Sequence, residues 1–541
     1  MPPHTALAEL VAEAAERSPD RLALVEVGGR SMSWLQLDDE VSRVAGGLVS
    51  RDLVAGHRVM IVLGNRLEFV TSYLGVLRAQ LVAVPVNPQA SVEEVLRTLA
   101  DSGSRLVICD AATVATVRGA ITRLRAALAG DPVADGALDA GLLERARDPR
   151  VVVIGKPSGD RETTYADLVA ADATPLPALT EPERLAALLY TSGASGRPRA
   201  AMLSHRALLA NIEQVASVQP PMMHGDDVVL GVLPLFHVYG LNAVLGSVLR
   251  HRAKLVLVDR FDPEGVLDLI DDEAISVVPI APPVFGYWLP IQHLRERLGP
   301  VRLVLSGSAP LSGEVLDRFT ARAGVEVHQG YGLTEAAPVV TSTLCSEHPR
   351  SGSVGAALPG IELRLVDEHT GDLEGDDPGE IQIRGANLFS GYWPDGSGGP
   401  GEDGWWSTGD VGYLDPSGDL YLVDRVRELV VVSGFNVYPS EVEDVIREVY
   451  VVAEVAVFGV DDPETGEAVV AYVVPRADAD PVEVFEAVEQ RVHTQLARFK
   501  QPARIEVVQA LPRSATGKIQ KGRLRGIERR RALGLLDDAD G

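Results

Sequence analysis

Apolar positions along this chain recur with two different periods. Near the start, Leu7, Leu10, Val11 and Ala14 fall at i, i+3, i+4 and i+7, one stripe of a helix. Ser33 and Gln36 have the spacing of a capping box and precede Leu37, Val41, Val44 and Leu48 at helical intervals. Val59 to Leu63 is a continuous apolar run, as in a strand buried on both faces. A helical pattern follows to about Arg78, and Leu81 to Val86 reads as a second strand. Strand–helix–strand order predicts right-handed crossovers and a parallel sheet.

The stretch 110–180 is rich in Ala, Asp, Gly and Arg and reads as helical surface decoration. Strand-like runs return at Val228–Leu233, Lys254–Val258, Ser276–Ile280 and Val301–Leu305. Beyond 350, glycine-punctuated runs (Ile361–Val366, Gly379–Arg384) predict a smaller β subdomain. After a boundary near Asp424–Glu428, a helix from about Ser440 is followed by strands at Val455–Val460 and Ala468–Val474. A helix over Pro481–Arg498 and a strand near Arg504–Val508 complete a compact α+β unit. Arg529–Arg531 and Asp537–Asp538 read as a frayed charged tail. The expected fold class is therefore α/β. A large N-terminal domain (1–425) holds α/β subdomains and a small β subdomain, a small α+β domain spans 428–525, and the tail covers 526–541.

At 541 residues the chain exceeds one compact core, and its 46% apolar and 23% charged residues are those of a soluble globular protein. The net charge of −26 argues against nucleic acid or an anionic membrane as the main partner. Cys109 and Cys345 lie far apart, which fits neither a disulfide framework nor a zinc site and suits a reducing compartment. Glu9, Glu13 and Glu16 within the first amphipathic stripe are wrong for a signal peptide, and no apolar run has the length of a bilayer span; a cytoplasmic protein is expected.

Candidate chemistry begins after the apolar run Leu185–Leu189. Thr191, Ser192, Gly193, Ala194, Ser195, Gly196, Arg197, Pro198 and Arg199 gather hydroxyls, glycines and cations in one loop. Such a loop suits a polyphosphate: glycines let backbone N–H groups approach phosphate oxygens, hydroxyls donate, and arginines neutralise charge. The spacing is not that of a Walker A loop. Five further segments accompany it: Pro234–Gly240; Gly330-Tyr331-Gly332-Leu333-Thr334-Glu335; Ser407-Thr408-Gly409-Asp410; Asp424–Glu428 leading to Ser433–Pro439; and Pro512–Lys518.

Together, and in this order, the six segments resemble the adenylate-forming superfamily of acyl- and aryl-CoA synthetases, peptide-synthetase adenylation domains and luciferases, most closely the fatty acyl-CoA synthetases. The resemblance spans essentially the whole chain. It implies ATP-dependent activation of a carboxylic acid to acyl-AMP, then thioester formation with CoA, with release of AMP and pyrophosphate. ATP, Mg²⁺ and CoA are the implied cofactor and substrates.

By the same resemblance, Thr191, Ser192, Gly193, Ser195, Gly196 and Arg199 would hold the β- and γ-phosphates. Thr334 would bond the α-phosphate, and Glu335 would stand by Mg²⁺. Gly307-Ser308-Ala309 and Gly330-Tyr331-Gly332 would enclose adenine, Asp410 would accept from the ribose hydroxyls, and Arg425 would support ribose or phosphate. His237 would lie by the acyl carboxylate. Lys518 would bridge that carboxylate and the α-phosphate. The small C-terminal domain would be mobile, turning about Arg427, with Gly434 lining a CoA tunnel. Bringing two anions together is electrostatic work, and a flexible ammonium suits it.

The loop departs from the family pattern at Ala194, Ser195, Arg199 and Ala200, and Lys521 stands where Arg is common. The apolar segment Val278, Ile280, Ala281, Val284, Phe285 and Trp288 reads equally as an acyl-pocket wall or as core. No carrier domain follows residue 525, so a stand-alone enzyme is expected. Other readings are an acyl-AMP ligase that loads an acyl carrier protein, an aryl-CoA ligase, and a non-catalytic nucleotide or acyl binder.

Overall fold

The computed structural model describes the chain except residues 1–3, 132–137, 159–160, 171–175, 192–197, 310, 368–370, 373–377, 426–427, 429, 433–434, 463–464, 478, 497, 514–517 and 533–541, and the side chains of 367, 371–372, 424–425, 431, 435–436, 466 and 529–530. Four sheets organise the rest.

The first has seven strands, in the order Glu162–Thr164, Arg150–Ile154, Leu106–Asp110, Arg58–Val62, Val82–Pro85, Leu185–Thr191 and Arg199–Ser204. All pairs are parallel except the last, which forms an antiparallel hairpin with Thr191 opposite Arg199. The Ser33 capping box is present: the side chain accepts from the Gln36 amide while Gln36 reaches back, and the helix Trp34–Val49 follows. Its stripe of Leu37, Val41, Val44 and Leu48 is fully buried.

One expectation fails here. Residues 110–180 are not all decoration, because Arg150–Ile154 is an inner strand whose Val151, Val152 and Val153 are buried. Three consecutive β-branched residues outweigh the polar composition around them.

The second sheet has nine strands, in the order Ala356–Ala357, Val339–Ser342, Val327–Gly332, Leu303–Ser306, Val277–Ile280, Val228–Gly231, Lys254–Leu257, Leu22–Glu26 and Ser31–Ser33. From Val327–Gly332 to Leu22–Glu26 the strands run parallel. Their carboxyl ends therefore lie along one edge, where ligands bind in open α/β sheets. Within the segment Val278–Trp288, Val278, Ile280, Val284, Phe285 and Trp288 are buried in one apolar cluster, while Tyr287 is exposed. Phe285 meets Phe319 edge-on at 4.8 Å, and Trp288 donates from Nε1 to the Pro263 carbonyl at 3.0 Å.

The expected β subdomain is a five-stranded sheet in the order Gly371–Asp372, Ile361–Asp367, Gly379–Gly385, Trp406–Leu414 and Leu420–Arg425, antiparallel throughout. The C-terminal unit builds on Val430–Val432, Phe435–Val437, Val452–Asp462, Gly466–Pro475 and Arg504–Val507, with helices Pro439–Arg447 and Pro481–Gln495 closing its core. A further helix, Lys521–Ala532, takes in residues 526–532 of what reads in sequence as a frayed tail. Leu524 is buried in a cluster with Phe458 and Leu511, and Glu528 is buried while accepting from Tyr472 and Arg531. Charge pairing at Glu528 adds to the packing of only two apolar residues, Leu524 and Ile527, in fixing this helix. No helix among the described residues is long and apolar enough to cross a membrane.

Candidate active site at the strand ends

The carboxyl ends of the parallel strands deliver the candidate residues to one edge. The strand Val228–Gly231 leads into Pro234–His237. Buried Asn65 holds that turn. Its Nδ2 donates to the Gly231 and Leu233 carbonyls, both at 2.9 Å, and its Oδ1 accepts from the Leu235 amide at 2.9 Å. The chain then enters a π-helix, Tyr239–Gly246. Such helices are rare and concentrate at functional sites; this one is apolar but for Asn242 and the Tyr239 hydroxyl, so periodicity does not reveal it. His237 is half-buried, and burial pushes its imidazole down to about 4, with the Lys518 charge adding to the effect. The ring is therefore neutral at pH 7.

The next strand, Leu303–Ser306, opens into Gly307-Ser308-Ala309. A Cβ at Gly307 would stand 2.9 Å from the Tyr239 ring, so only glycine lets the turn lie against that aromatic. Ser308 has φ +71°, an uncommon conformation for a non-glycine residue and one found at ligand sites.

Val327–Gly332 ends in the Tyr331–Glu335 segment. At Gly332 a Cβ would lie 2.4 Å from the Pro338 carbonyl oxygen, which explains the glycine by close packing of two antiparallel strands. Tyr331 Oη donates to Asp410 Oδ2 at 2.6 Å, and the Asp410 amide donates to Thr408 Oγ1 at 3.1 Å. Asp410 pairs with Arg425 in backbone register.

Thr334–Ala336 is one 3₁₀ turn held from several sides. The Phe389 amide donates to the Glu335 carbonyl at 2.9 Å, Asn387 Nδ2 to Ala336 at 2.7 Å, and Asn242 Nδ2 to Ala337 at 2.7 Å. Asn242 lies on the π-helix, so this helix braces the Glu335 turn. The Glu335 carboxylate accepts at Oε1 from Tyr392 Oη at 2.7 Å.

Lys518 comes from the C-terminal unit. It stands at the rim of a turn closed by the Arg513–Ile519 bridge and the Gln520 amide bond to the Pro512 carbonyl at 2.8 Å. Arg513 pairs with Glu454 at 2.9 Å. Lys521, at the head of the last helix, pairs with Glu443 at 2.8 Å and Glu428 at 3.1 Å. Lys518 is thus flanked by anchored residues and is itself exposed, and its charge adds to the lowering of the His237 imidazole.

Of the sequence-stated candidates, His237, Gly307, Ser308, Ala309, Gly330, Tyr331, Gly332, Thr334 and Glu335 follow or end strands of the nine-stranded sheet, Asp410 lies within Trp406–Leu414 of the β subdomain and meets them through Tyr331, and Lys518 belongs to the C-terminal unit. Thr191 and Arg199 end the two strands of the hairpin. Ser192, Gly193, Ser195 and Gly196, the side chain of Arg425, and Arg427 and Gly434 lie outside the described residues. Three residues that sequence reasoning passed over also belong here. Tyr392 holds Glu335, and Tyr239 packs on Gly307. Asp101 accepts from Tyr190 Oη at 2.8 Å through its carboxylate and from Trp393 Nε1 at 2.9 Å through its carbonyl. An aromatic pair, Tyr392-Trp393, inside a glycine-rich stretch is the one signal that marks them in sequence.

Among the described residues no cluster of three or more His, Cys, Asp or Glu side chains could hold a metal by itself. Glu335 with one carboxylate oxygen engaged suits a Mg²⁺ ion that takes one or two protein oxygens and the rest from substrate phosphates.

Residues 11–393 match the model of the AMP-binding enzyme family, and residues 441–518 that of the AMP-binding enzyme C-terminal domain. 4-coumarate–CoA ligase 5 of Oryza sativa is 34% identical, covering 97% of this chain and 95% of its own. The long-chain-fatty-acid–CoA ligase of Bacillus subtilis is 31% identical over 96% and 94%. The crystal structure of ATP-bound MatB from Rhodopseudomonas palustris superposes with a TM-score of 0.82 at 31% identity, covering 96% of this chain and 98% of that one. The chain belongs to the AMP-binding enzyme family of adenylate-forming proteins and is an acid–thiol ligase.

Proposed function

We propose that this enzyme activates an apolar carboxylic acid, a fatty acid first, as its acyl-adenylate and then transfers the acyl group to CoA. The observation that carries the reading is the gathering of Gly307–Ala309, Tyr331, Thr334 and Glu335 at the carboxyl ends of the parallel strands, with Tyr331 bonded to Asp410. In the first step a carboxylate oxygen attacks the α-phosphorus of ATP, the bond to the bridging oxygen of the β-phosphate breaks, and pyrophosphate leaves. Lys518 supplies the ammonium between carboxylate and α-phosphate, where two anions would otherwise repel. Thr334 offers a hydroxyl to the α-phosphate, and Asp410 accepts from the ribose. The turn Gly307–Ala309 and Tyr331 flank the base. Thr191 to Arg199 takes the outer phosphates. Glu335 would hold Mg²⁺, which when bound neutralises phosphate charge. In the second step the CoA thiol attacks the acyl carbonyl and AMP leaves; the C-terminal unit turns about Arg427 between the steps, and Gly434 leaves room for the pantetheine arm.

A neutral His237 flanked by Phe236, Val238 and Tyr239 supports an acid with an apolar body. The resemblance to a 4-coumarate–CoA ligase favours a second reading, an aryl acid. A panel of fatty acids and hydroxycinnamates with ATP, with and without CoA, tests both. AMP release that needs CoA and is greatest with fatty acids is expected. Turnover confined to hydroxycinnamates would select the aryl reading, and no acid-dependent pyrophosphate release with either class would reject the proposal.

A further inference from the structure

The segment Phe389–Trp393 joins two parts of the site that are far apart in sequence. The Ser390 amide donates to the Met202 carbonyl at 2.9 Å, the Met202 amide to the Gly391 carbonyl at 3.0 Å, and the Trp393 amide to the Ala200 carbonyl at 2.9 Å. The segment thus lies as an added strand beside Arg199–Ser204, the outgoing arm of the candidate phosphate loop. At its other end the Phe389 amide binds the Glu335 carbonyl. Tyr392 sits between. The Arg199 guanidinium lies 3.6 Å from the Tyr392 ring centroid, and the same residue's hydroxyl donates to Glu335 Oε1 at 2.7 Å. Phe389 packs edge-on against the ring at 5.0 Å.

We infer that Tyr392 is a positioning residue for the adenylation step: it fixes the Glu335 carboxylate for its cation, and Arg199 keeps it in place by stacking on its ring. This rests on the reading of the site as adenylate-forming. The planar guanidinium covers an aromatic face as an ammonium cannot. The arginine that departs from the family pattern therefore has a task of its own here, coupling the exit of the phosphate loop to Glu335. Partners that orient a metal-binding carboxylate usually change metal affinity or activity about 10- to 100-fold when removed.

The test compares the wild type with Tyr392→Phe, Arg199→Lys and the double variant. Tyr392→Phe keeps the ring, and with it the contacts to Arg199 and Phe389. Three readouts are taken: Mn²⁺ binding to the enzyme–ATP complex without acid, by electron paramagnetic resonance; acid-dependent ATP–pyrophosphate exchange; and thermal melting. Tyr392→Phe should weaken Mn²⁺ binding about 10-fold and slow exchange by about 10- to 100-fold, with KM for the acid and the melting temperature unchanged. Arg199→Lys should lose less, and the double variant no more than Tyr392→Phe alone. Unchanged Mn²⁺ affinity in Tyr392→Phe, or a lowered melting temperature with normal Mn²⁺ binding, would overturn the inference. Additive losses in the double variant would overturn the route through Tyr392. A wild type that binds Mn²⁺·ATP yet exchanges no pyrophosphate with any acid would instead reject the adenylation reading and leave Tyr392 to be judged on the binding data.

Discussion

The Tyr331 hydroxyl donates to Asp410 Oδ2 across 2.6 Å, and both side chains are buried. This one bond ties the end of a parallel strand in the nine-stranded sheet to the β subdomain. It uses part of the carboxylate's acceptor capacity and leaves the rest for the two hydroxyls of a ribose. A hydrogen bond to a charged group contributes about 1.5–3 kcal/mol. Tyr331→Phe should therefore lower kcat/KM for ATP by about 10- to 100-fold. KM for the acid should hardly move, which steady-state kinetics with each substrate varied in turn will check.

Buried His205 and half-buried His237 set an acid limit on stability. Burial holds His237 and His205 at about 4, against 6.5 for the free side chain. Between those values the unfolded chain binds more protons than the folded one, so stability falls as pH falls and these groups contribute no slope above about pH 6.5. His205 also accepts the Leu7 amide at Nδ1, a bond that needs the neutral ring. His205→Asn keeps an acceptor without the titration. Its unfolding free energy, from urea titration, should drop less than that of the wild type between pH 7.5 and pH 5, by an amount on the order of 1–2 kcal/mol.

The last helix is part of the C-terminal unit. A chain ending at residue 525 loses Glu528, which Tyr472 and Arg531 bond, and the packing of the rest of the helix. It should melt lower by several degrees, whereas a chain ending at residue 533 should melt like the full one. Lys521→Met should also destabilise, by about 1.5–3 kcal/mol, because the buried Glu443 loses one of its two cations and keeps only Arg447.

Legibility in sequence followed local physics. Capping residues and apolar periods were enough to locate the helix after Ser33 and the parallel strands, because short-range rules act there and tertiary packing agrees. The strand Arg150–Ile154 escaped because its valines sit within a polar stretch, and the helix Lys521–Ala532 because only two apolar residues, Leu524 and Ile527, pack from it. His237, Tyr331, Glu335 and Asp410 were marked by the resemblance of their motifs to the adenylate-forming superfamily, since each of these residues alone reads as well as core or turn. Tyr392 was not, since its role depends on a strand pairing between residues 200–202 and 390–393. The bracing of the Glu335 turn by Asn242 and Asn387 is equally a matter of three-dimensional approach.

Gly307→Ala offers a steric check on the base-binding turn. The added methyl would meet the Tyr239 ring at 2.9 Å. Overpacking of this kind costs about 1–3 kcal/mol. A lower melting temperature together with a raised KM for ATP is expected, read by calorimetry and by initial rates.

The central claim is that an ammonium from the C-terminal unit serves the first half-reaction alone. The most direct measurement takes Lys518→Ala through the two half-reactions separately: acid-dependent ATP–pyrophosphate exchange, and conversion of supplied acyl-AMP and CoA to thioester. Exchange should fall by about 100-fold or more, and thioester formation should stay within about 3-fold of the wild type. Normal exchange by Lys518→Ala would contradict the account.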